Sequence, residues 1–302
     1  GDEIIASRTI YGGTYAFLKN FLPKLGIKTH FVDITKTNHI EALVNVNTKM
    51  IYCESMSNPL LEIADIPALA SITKNTSIKL VVDNTFTPMI ISPIDLGADI
   101  VLHSLTKFIN GASDAVGGVV CADEEFITAM LDVNNGAGML LGPVMDPIRA
   151  ASILKNMRTL HIRMKQHSHN AQFIAEHFLK EGIKVYYPGI KSHPQFSLIK
   201  KSYNKEFGFG GMLVLDVKNK ENAYAFMEEM QNDNIGYLAV SLGFYKTLFS
   251  APGSSTSSEI PQEEQDQMGL SEGMVRISIG IDNNINRTFE KMKKCMKNIG
   301  IL

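Results

Sequence analysis

The sequence is short of cysteine. Cys53, Cys121 and Cys295 are the only three in 302 residues, scattered and odd in number. That excludes a disulfide framework and the paired spacing of a zinc site, and it fits a reducing, cytoplasmic setting. Excess positive charge is also absent: 29 Lys+Arg against 31 Asp+Glu leave a net charge of −2. Nothing therefore marks a nucleic-acid or anionic-membrane surface. No uninterrupted apolar run approaches the roughly 18 residues that a membrane-spanning helix needs. Internal repeats and low-complexity tracts are missing too. There is no initiator Met and no signal peptide. The chain opens on "GDEIIAS", with Ile4 and Ile5 already strand-like, which predicts that an N-terminal segment of the parent protein is missing. What is present is ordinary for a soluble globular protein: 45% hydrophobic and 20% charged residues.

The first half alternates strand-like and helix-like runs. Strands are predicted over 2–7, 29–34, 49–54, 78–83, 99–104 and 117–122, several of them apolar without alternation, as in a parallel sheet buried on both faces. Helical spacing marks 15–26, 37–46 and 64–75, so residues 1–146 read as a doubly wound α/β domain. From Pro147 the pattern changes. A stretch without internal Gly or Pro runs to Gly182 and predicts a long helix, broken near Arg158–Thr159. It opens a smaller C-terminal α+β domain over 147–302. The polar stretch 250–269 predicts a long loop.

Two strand ends carry chemistry. "IKLVVDNTF" places Asp83 at one, and "DIVLHSLTK" places Ser104, Thr106 and Lys107 at another, 24 residues on, a gap that fits one βαβ crossover. In open α/β sheets ligands sit outside the carboxyl ends of strands. Alone, Lys107 would be a solvated side chain or a salt-bridge partner of Asp83. Together the residues suit pyridoxal phosphate (PLP), which needs a lysine for its aldehyde, a carboxylate for its ring nitrogen and donors for its phosphate.

The segments "SRTIYGGTY", "CESMSNPLLEIADI", "VVDNTFTP", "GADIVLHSLTKFINGASD", "RTLHIRMKQHSHNAQFIAEHFL", "LAVSLG" and "GMVRISIGID" run in family order across nearly the whole chain. In them the sequence resembles the cysteine/methionine-metabolism family of PLP enzymes, which includes methionine γ-lyase and cystathionine γ-lyase. The resemblance implies fold type I, like aspartate aminotransferase, and a homotetramer whose subunits share active sites. It assigns Lys107 to the Schiff base, Asp83 to the pyridinium nitrogen, Ser104 and Thr106 to the phosphate, and Tyr11 to ring stacking and acid/base work. It also assigns Asn58 to the neighbourhood of the cofactor's phenolic oxygen, Glu54 to the family's acidic motif position, and Ser241 and Arg276 to the substrate α-carboxylate. Thr256 matches a threonine near the substrate. An arginine between Val275 and Ile277 is otherwise odd, since a buried charge needs a partner, and guanidinium binds carboxylate bidentately. His103 reads as a packed histidine, and His161, His167 and His169 lack metal-ligand spacing.

Three departures bear on the reaction. The family's upstream phosphate loop, with the neighbouring subunit's tyrosine and arginine, has no counterpart after "GDEII". Gly13 stands where many methionine γ-lyases have cysteine, and Ala112 where the family has histidine. The expected chemistry is lysis of a sulfur amino acid by α,γ-elimination. The alternatives are γ-replacement (O-acetylhomoserine sulfhydrylase or cystathionine γ-synthase), cystathionine β-lysis, or a truncated binding subunit without PLP.

Overall fold

Six apolar runs in the first half pair into one sheet. The computed structural model describes residues 1–252, 263 and 269–302. Its strands β1 (Glu3–Ser7), β2 (Lys28–Val32), β3 (Thr48–Glu54), β4 (Lys79–Asp83), β5 (Ile100–Ser104) and β6 (Gly118–Cys121) follow the order β2-β1-β3-β4-β5-β6. All neighbours are parallel except β5 and β6. Helices Thr37–Leu43 and Ile66–Thr73 serve as crossovers. The second is started by Asp65, which accepts from the Ala68 N–H, with Pro67 in its first turn.

Both faces of this sheet are covered. Ile5, Ile51, Leu80 and Val82 pack into one cluster, while Ile4, Ala6, Tyr52, Val81 and Ile100 pack into another. Burial on both sides explains why these strands read as continuous apolar runs. The helix predicted over 15–26 is irregular instead: an α-turn Gly12–Ala16, a π-turn Phe17–Phe21 and a 3₁₀ turn Leu22–Leu25. Pro23 cannot donate to the ladder, and the segment stops at Gly26 in the left-handed region, φ 77°.

The long helix breaks where its sequence says it should, into Pro147–Met157 and Leu160–Lys180. Asp146 caps the first piece by accepting from Ile148 and Arg149 N–H. A second sheet follows: β7 (Lys184–Tyr186), β8 (Met212–Asp216), β9 (Gly236–Leu238), β10 (Thr247–Ser250) and β11 (Met274–Ser278), in the order β7-β8-β11-β10-β9. Helices Leu160–Lys180, Lys220–Asn232 and Ile285–Asn298 contribute Phe178, Phe226 and Phe289 to a core with Phe249, Val275 and Ile277 of this sheet. Its other face joins Met212, Val214 and Met274 to Met56 and Phe108 of the first sheet's cluster. Side chains alternate along a strand. With Val275 and Ile277 facing the helices, Arg276 points the other way, toward the first sheet. Among the described residues no helix is long and apolar enough to cross a membrane.

Candidate active site

The parallel register brings three strand ends level. Glu54 of β3 pairs with Asp83 of β4, and Asp83 with Leu102 of β5. Beyond these ends lies a cavity of about 310 Å³, lined by Tyr11, Glu54, Asn58, Asp83, Ser104, Thr106, Lys107 and Arg276. Ser241 reaches it through its contact with Lys107. Of the residues singled out in the sequence, only Thr256 lies outside the described residues, and so does most of the loop predicted over 250–269.

Lys107 sits in a π-turn, Leu105–Ile109, with non-helical backbone angles of φ −92° and ψ −129°. Gly243, at φ 74°, lets a neighbouring loop close on this turn, where an added Cβ would lie 2.4 Å from the Phe108 nitrogen. The Lys107 Nζ donates to Ser241 Oγ at 3.0 Å. Burial, and secondarily the positive charge of Arg276, lower its pKa, which favours the neutral, nucleophilic amine.

Asp83 accepts from the Thr85 N–H at 2.9 Å, and the Tyr52 hydroxyl approaches it at 3.5 Å. Burial raises its pKa, while these donors and His103 pull the other way. Glu54 is buried, not a solvated strand end: its two oxygens accept from Tyr11 N–H at 2.7 Å and Asn58 N–H at 3.0 Å. Burial first, and then the charge of Asp83, push its pKa well up. Glu54 thus braces the backbone under Tyr11 and Asn58.

Arg276 is 2% exposed, and among the described residues it has no carboxylate partner. Its Nη1 donates to Asn58 Oδ1 at 2.9 Å and its Nη2 to the Ser241 carbonyl at 3.2 Å. Burial lowers its pKa to about 10. A buried guanidinium without an anion is costly unless an anion is to arrive.

Thr106 is already engaged, its hydroxyl accepting from Gly117 N–H at 3.0 Å and facing the Gly117 carbonyl at 3.3 Å. Tyr11 is 58% exposed at the cavity mouth. Its ring lies over Gly13, where an added Cβ would stand 2.6 Å from ring Cε1. A cysteine at 13 would have to displace that ring.

A family model described as Cys/Met metabolism PLP-dependent enzyme matches residues 1–295. The chain belongs to this family. It is 42% identical over 297 residues to methionine gamma-lyase of Arabidopsis thaliana, covering 97% of this chain and 67% of that protein. Over 288 residues it is 39% identical to cystathionine gamma-lyase of Bacillus subtilis, covering 94% of this chain and 73% of that protein. The crystal structure of cystathionine gamma-lyase from Lactobacillus plantarum superposes with a TM-score of 0.89 at 32% identity, covering 99% of this chain and 77% of that one. The fold is the type I fold of PLP-dependent lyases, and the family's cofactor is PLP.

The donor set fits that cofactor. A lysine biased toward its free base, a buried carboxylate and two hydroxyl-bearing residues converge on a cavity of suitable size. The sequence reading missed the supporting residues. Thr85 fixes Asp83 and accepts from the Ser104 N–H at 2.8 Å; the spacing Asp-x-Thr in "VVDNTF" was its available signal. His103, read as a packed histidine, feels the charge of Asp83, and its Nδ1 has no hydrogen-bond partner among the described residues. Phe86, Val116, Val240 and Leu242 complete the walls and carry no local signature.

Proposed function

We propose that this enzyme cleaves the γ-carbon–sulfur bond of a sulfur-containing α-amino acid by α,γ-elimination. One observation carries the reading: Ser241 is the common partner of Lys107 Nζ, through Oγ at 3.0 Å, and of Arg276 Nη2, through its carbonyl at 3.2 Å. An amine site and a carboxylate site bridged by one residue suit the two head groups of an α-amino acid.

Lys107 would hold the cofactor's aldehyde, Asp83 its ring nitrogen, Tyr11 its ring face, and Ser104 and Thr106 its phosphate, with Asn58 nearby. Bound there, PLP supplies an electron sink for the charge left on the substrate's α-carbon. Arg276 grips the substrate carboxylate, and Asn58 and Ser241 keep the guanidinium fork oriented. Burial and the charge of Arg276 favour the free amine of Lys107, whose Nζ takes the α-proton. A second proton is then taken from the β-carbon, whose electron pair forms the Cβ–Cγ double bond as the Cγ–S bond breaks. The Tyr11 phenol, at the mouth, gives a proton to the departing γ-sulfur. With one water consumed, a thiol, ammonia and a 2-oxo acid leave.

Product analysis tests this. Methionine or homocysteine should yield 2-oxobutanoate and ammonia in equal amounts, with methanethiol or hydrogen sulfide respectively. Pyruvate and homocysteine from cystathionine would make it a β-lyase, as a 35%-identical relative is named. A γ-substituted product from O-acetylhomoserine and a thiol would make it a replacement enzyme.

Copies of the chain assemble as a homotetramer with shared sites. Leu141, Val144 and Ile148, exposed by 82%, 82% and 84%, support burial between subunits. Sedimentation equilibrium should give about four times 33.3 kDa; a monomer mass at micromolar concentration would refute it.

A further inference from the structure

The segment "RTLHIRMKQHSHNAQ" lies outside the cavity, yet four of its polar residues are buried: Arg163, His167, Ser168 and Asn170. Arg163, His167 and Asn170 follow i, i+4, i+7 spacing on helix Leu160–Lys180 and share one face. None of them pairs with a carboxylate among the described residues; each donates to backbone carbonyls. Arg163 Nη1 and Nη2 donate to the Phe108 and Ile109 carbonyls at 2.5 and 2.8 Å. Those carbonyls follow Lys107 directly, where its non-helical backbone interrupts the turn. His167 Nδ1 donates to the Ile279 carbonyl at 2.6 Å, so its proton resides on Nδ1. Asn170 Nδ2 donates to the Gly280 and Asp282 carbonyls at 2.9 and 2.8 Å. Residues 279–282 are the exit of β11, beginning three residues after Arg276.

We propose that Arg163, His167 and Asn170 are positioning residues: one helix holds the Lys107 turn through Arg163 and the Arg276 strand through His167 and Asn170 one to two turns further on, and so sets the separation between amine and guanidinium. The proposal rests on the roles given above to Lys107 and Arg276. Arg163 and His167 stand four residues apart, roughly 6 Å along the helix axis. A misplacement of about 1 Å between reacting groups costs on the order of 10²-fold in rate, so a fixed spacer has a clear use.

Stability alone explains these residues poorly. His167 is fully buried, its Nε2 has no partner among the described residues, and burial drives its pKa down to about 4. Burying the Arg163 guanidinium is likewise penalised, and its pKa is lowered. An apolar face would have packed at less cost. The close approach is also prepared from the opposite side. Gly111, at φ 70°, leaves room where a Cβ would sit 2.3 Å from Arg163 Nη1, and a Cβ on Gly211 would lie 2.9 Å from His167 Cβ.

The test uses Arg163→Lys, His167→Leu and His167→Asn, with Lys165→Ala on the same helix as a surface control. Hydrogen exchange is measured on the chain without cofactor, and steady-state kinetics on the loaded enzyme. Arg163→Lys should speed exchange of the Asn110 and Gly111 amides at least 10-fold, leave 276–282 unchanged, and lower kcat 10- to 100-fold with KM within about threefold. His167→Leu should do the converse: faster exchange in 276–282 and a KM at least 10-fold higher with kcat nearly kept. His167→Asn, whose amide nitrogen can replace Nδ1 as donor, should restore KM. Exchange that rises equally in both segments, or in neither, would overturn the proposal, as would kinetics matching the control. If Arg163→Lys does not fold, the Leu/Asn pair decides alone. A wild type without lyase activity would sink the functional reading, while the exchange pattern would still judge the spacer.

Discussion

Lys107→Ala abolishes cleavage of every sulfur amino acid, lowering kcat/KM by at least about 10³-fold, while the unloaded protein stays as stable as wild type at neutral pH. The loss follows from the two tasks given to one nitrogen: it binds the cofactor's aldehyde and then moves the α-proton. General acid–base work is worth about 10²–10⁴-fold, and groups acting as a unit cost more when removed. The stability half follows from the sign of the pKa shift. Burial and the charge of Arg276 lower the folded pKa of Lys107, so the unfolded chain holds that proton more tightly. The charged amine therefore works against folding below its unfolded pKa, and that opposition ends as pH rises through it. Deleting the amine removes it, offset by the lost bond to Ser241. Borohydride treatment after adding PLP, followed by peptide mass analysis, should find a covalent adduct at Lys107 in wild type and none at that position in the variant. An equal visible band and equal turnover in both proteins would remove Lys107 from the mechanism.

Arg276→Gln raises KM for the amino-acid substrate by roughly 10²- to 10³-fold and lowers kcat much less. Truncating one partner of a buried, hydrogen-bonded charge pair costs about 2–5 kcal/mol, and at about 1.4 kcal/mol per tenfold this range contains that factor. The expectation rests on the guanidinium being 2% exposed and, among the described residues, held by the Asn58 side chain and the Ser241 carbonyl with no carboxylate partner. The bound substrate supplies the missing anion. Arg276→Lys should recover little, because a single ammonium lacks the two-pronged fork. Comparing methionine with methioninamide isolates the contact: wild type should prefer the acid strongly, and Arg276→Gln should prefer neither. A preference that survives in the variant would show that the carboxylate binds elsewhere.

Much of this site was legible before any coordinates. Asp83 and Lys107 each follow an unbroken apolar strand, and the length between them admits one crossover, so their shared crevice followed from sheet topology. The helix break at Arg158–Thr159 was equally visible. Glu54 illustrates the limit: at a strand end beside a turn it reads as solvated, and only the folding of Tyr11 and Asn58 around it makes it a buried brace. His167 illustrates it again. Its i, i+4 relation to Arg163 is written in the helix, but the Ile279 carbonyl that gives it a task lies 112 positions away.

By itself the sequence determined the alternation of strands and helices, the two chemical strand ends and the family, because periodicity and short motifs are local. Only the tertiary structure decided which group holds which. Lys107 meets Ser241 across 134 positions and Asn58 meets Arg276 across 218. Protonation and hydrogen-bond partnership depend on burial and on neighbours within a few ångströms. Those neighbours are chosen by packing two sheets and a helix together, which no local pattern encodes.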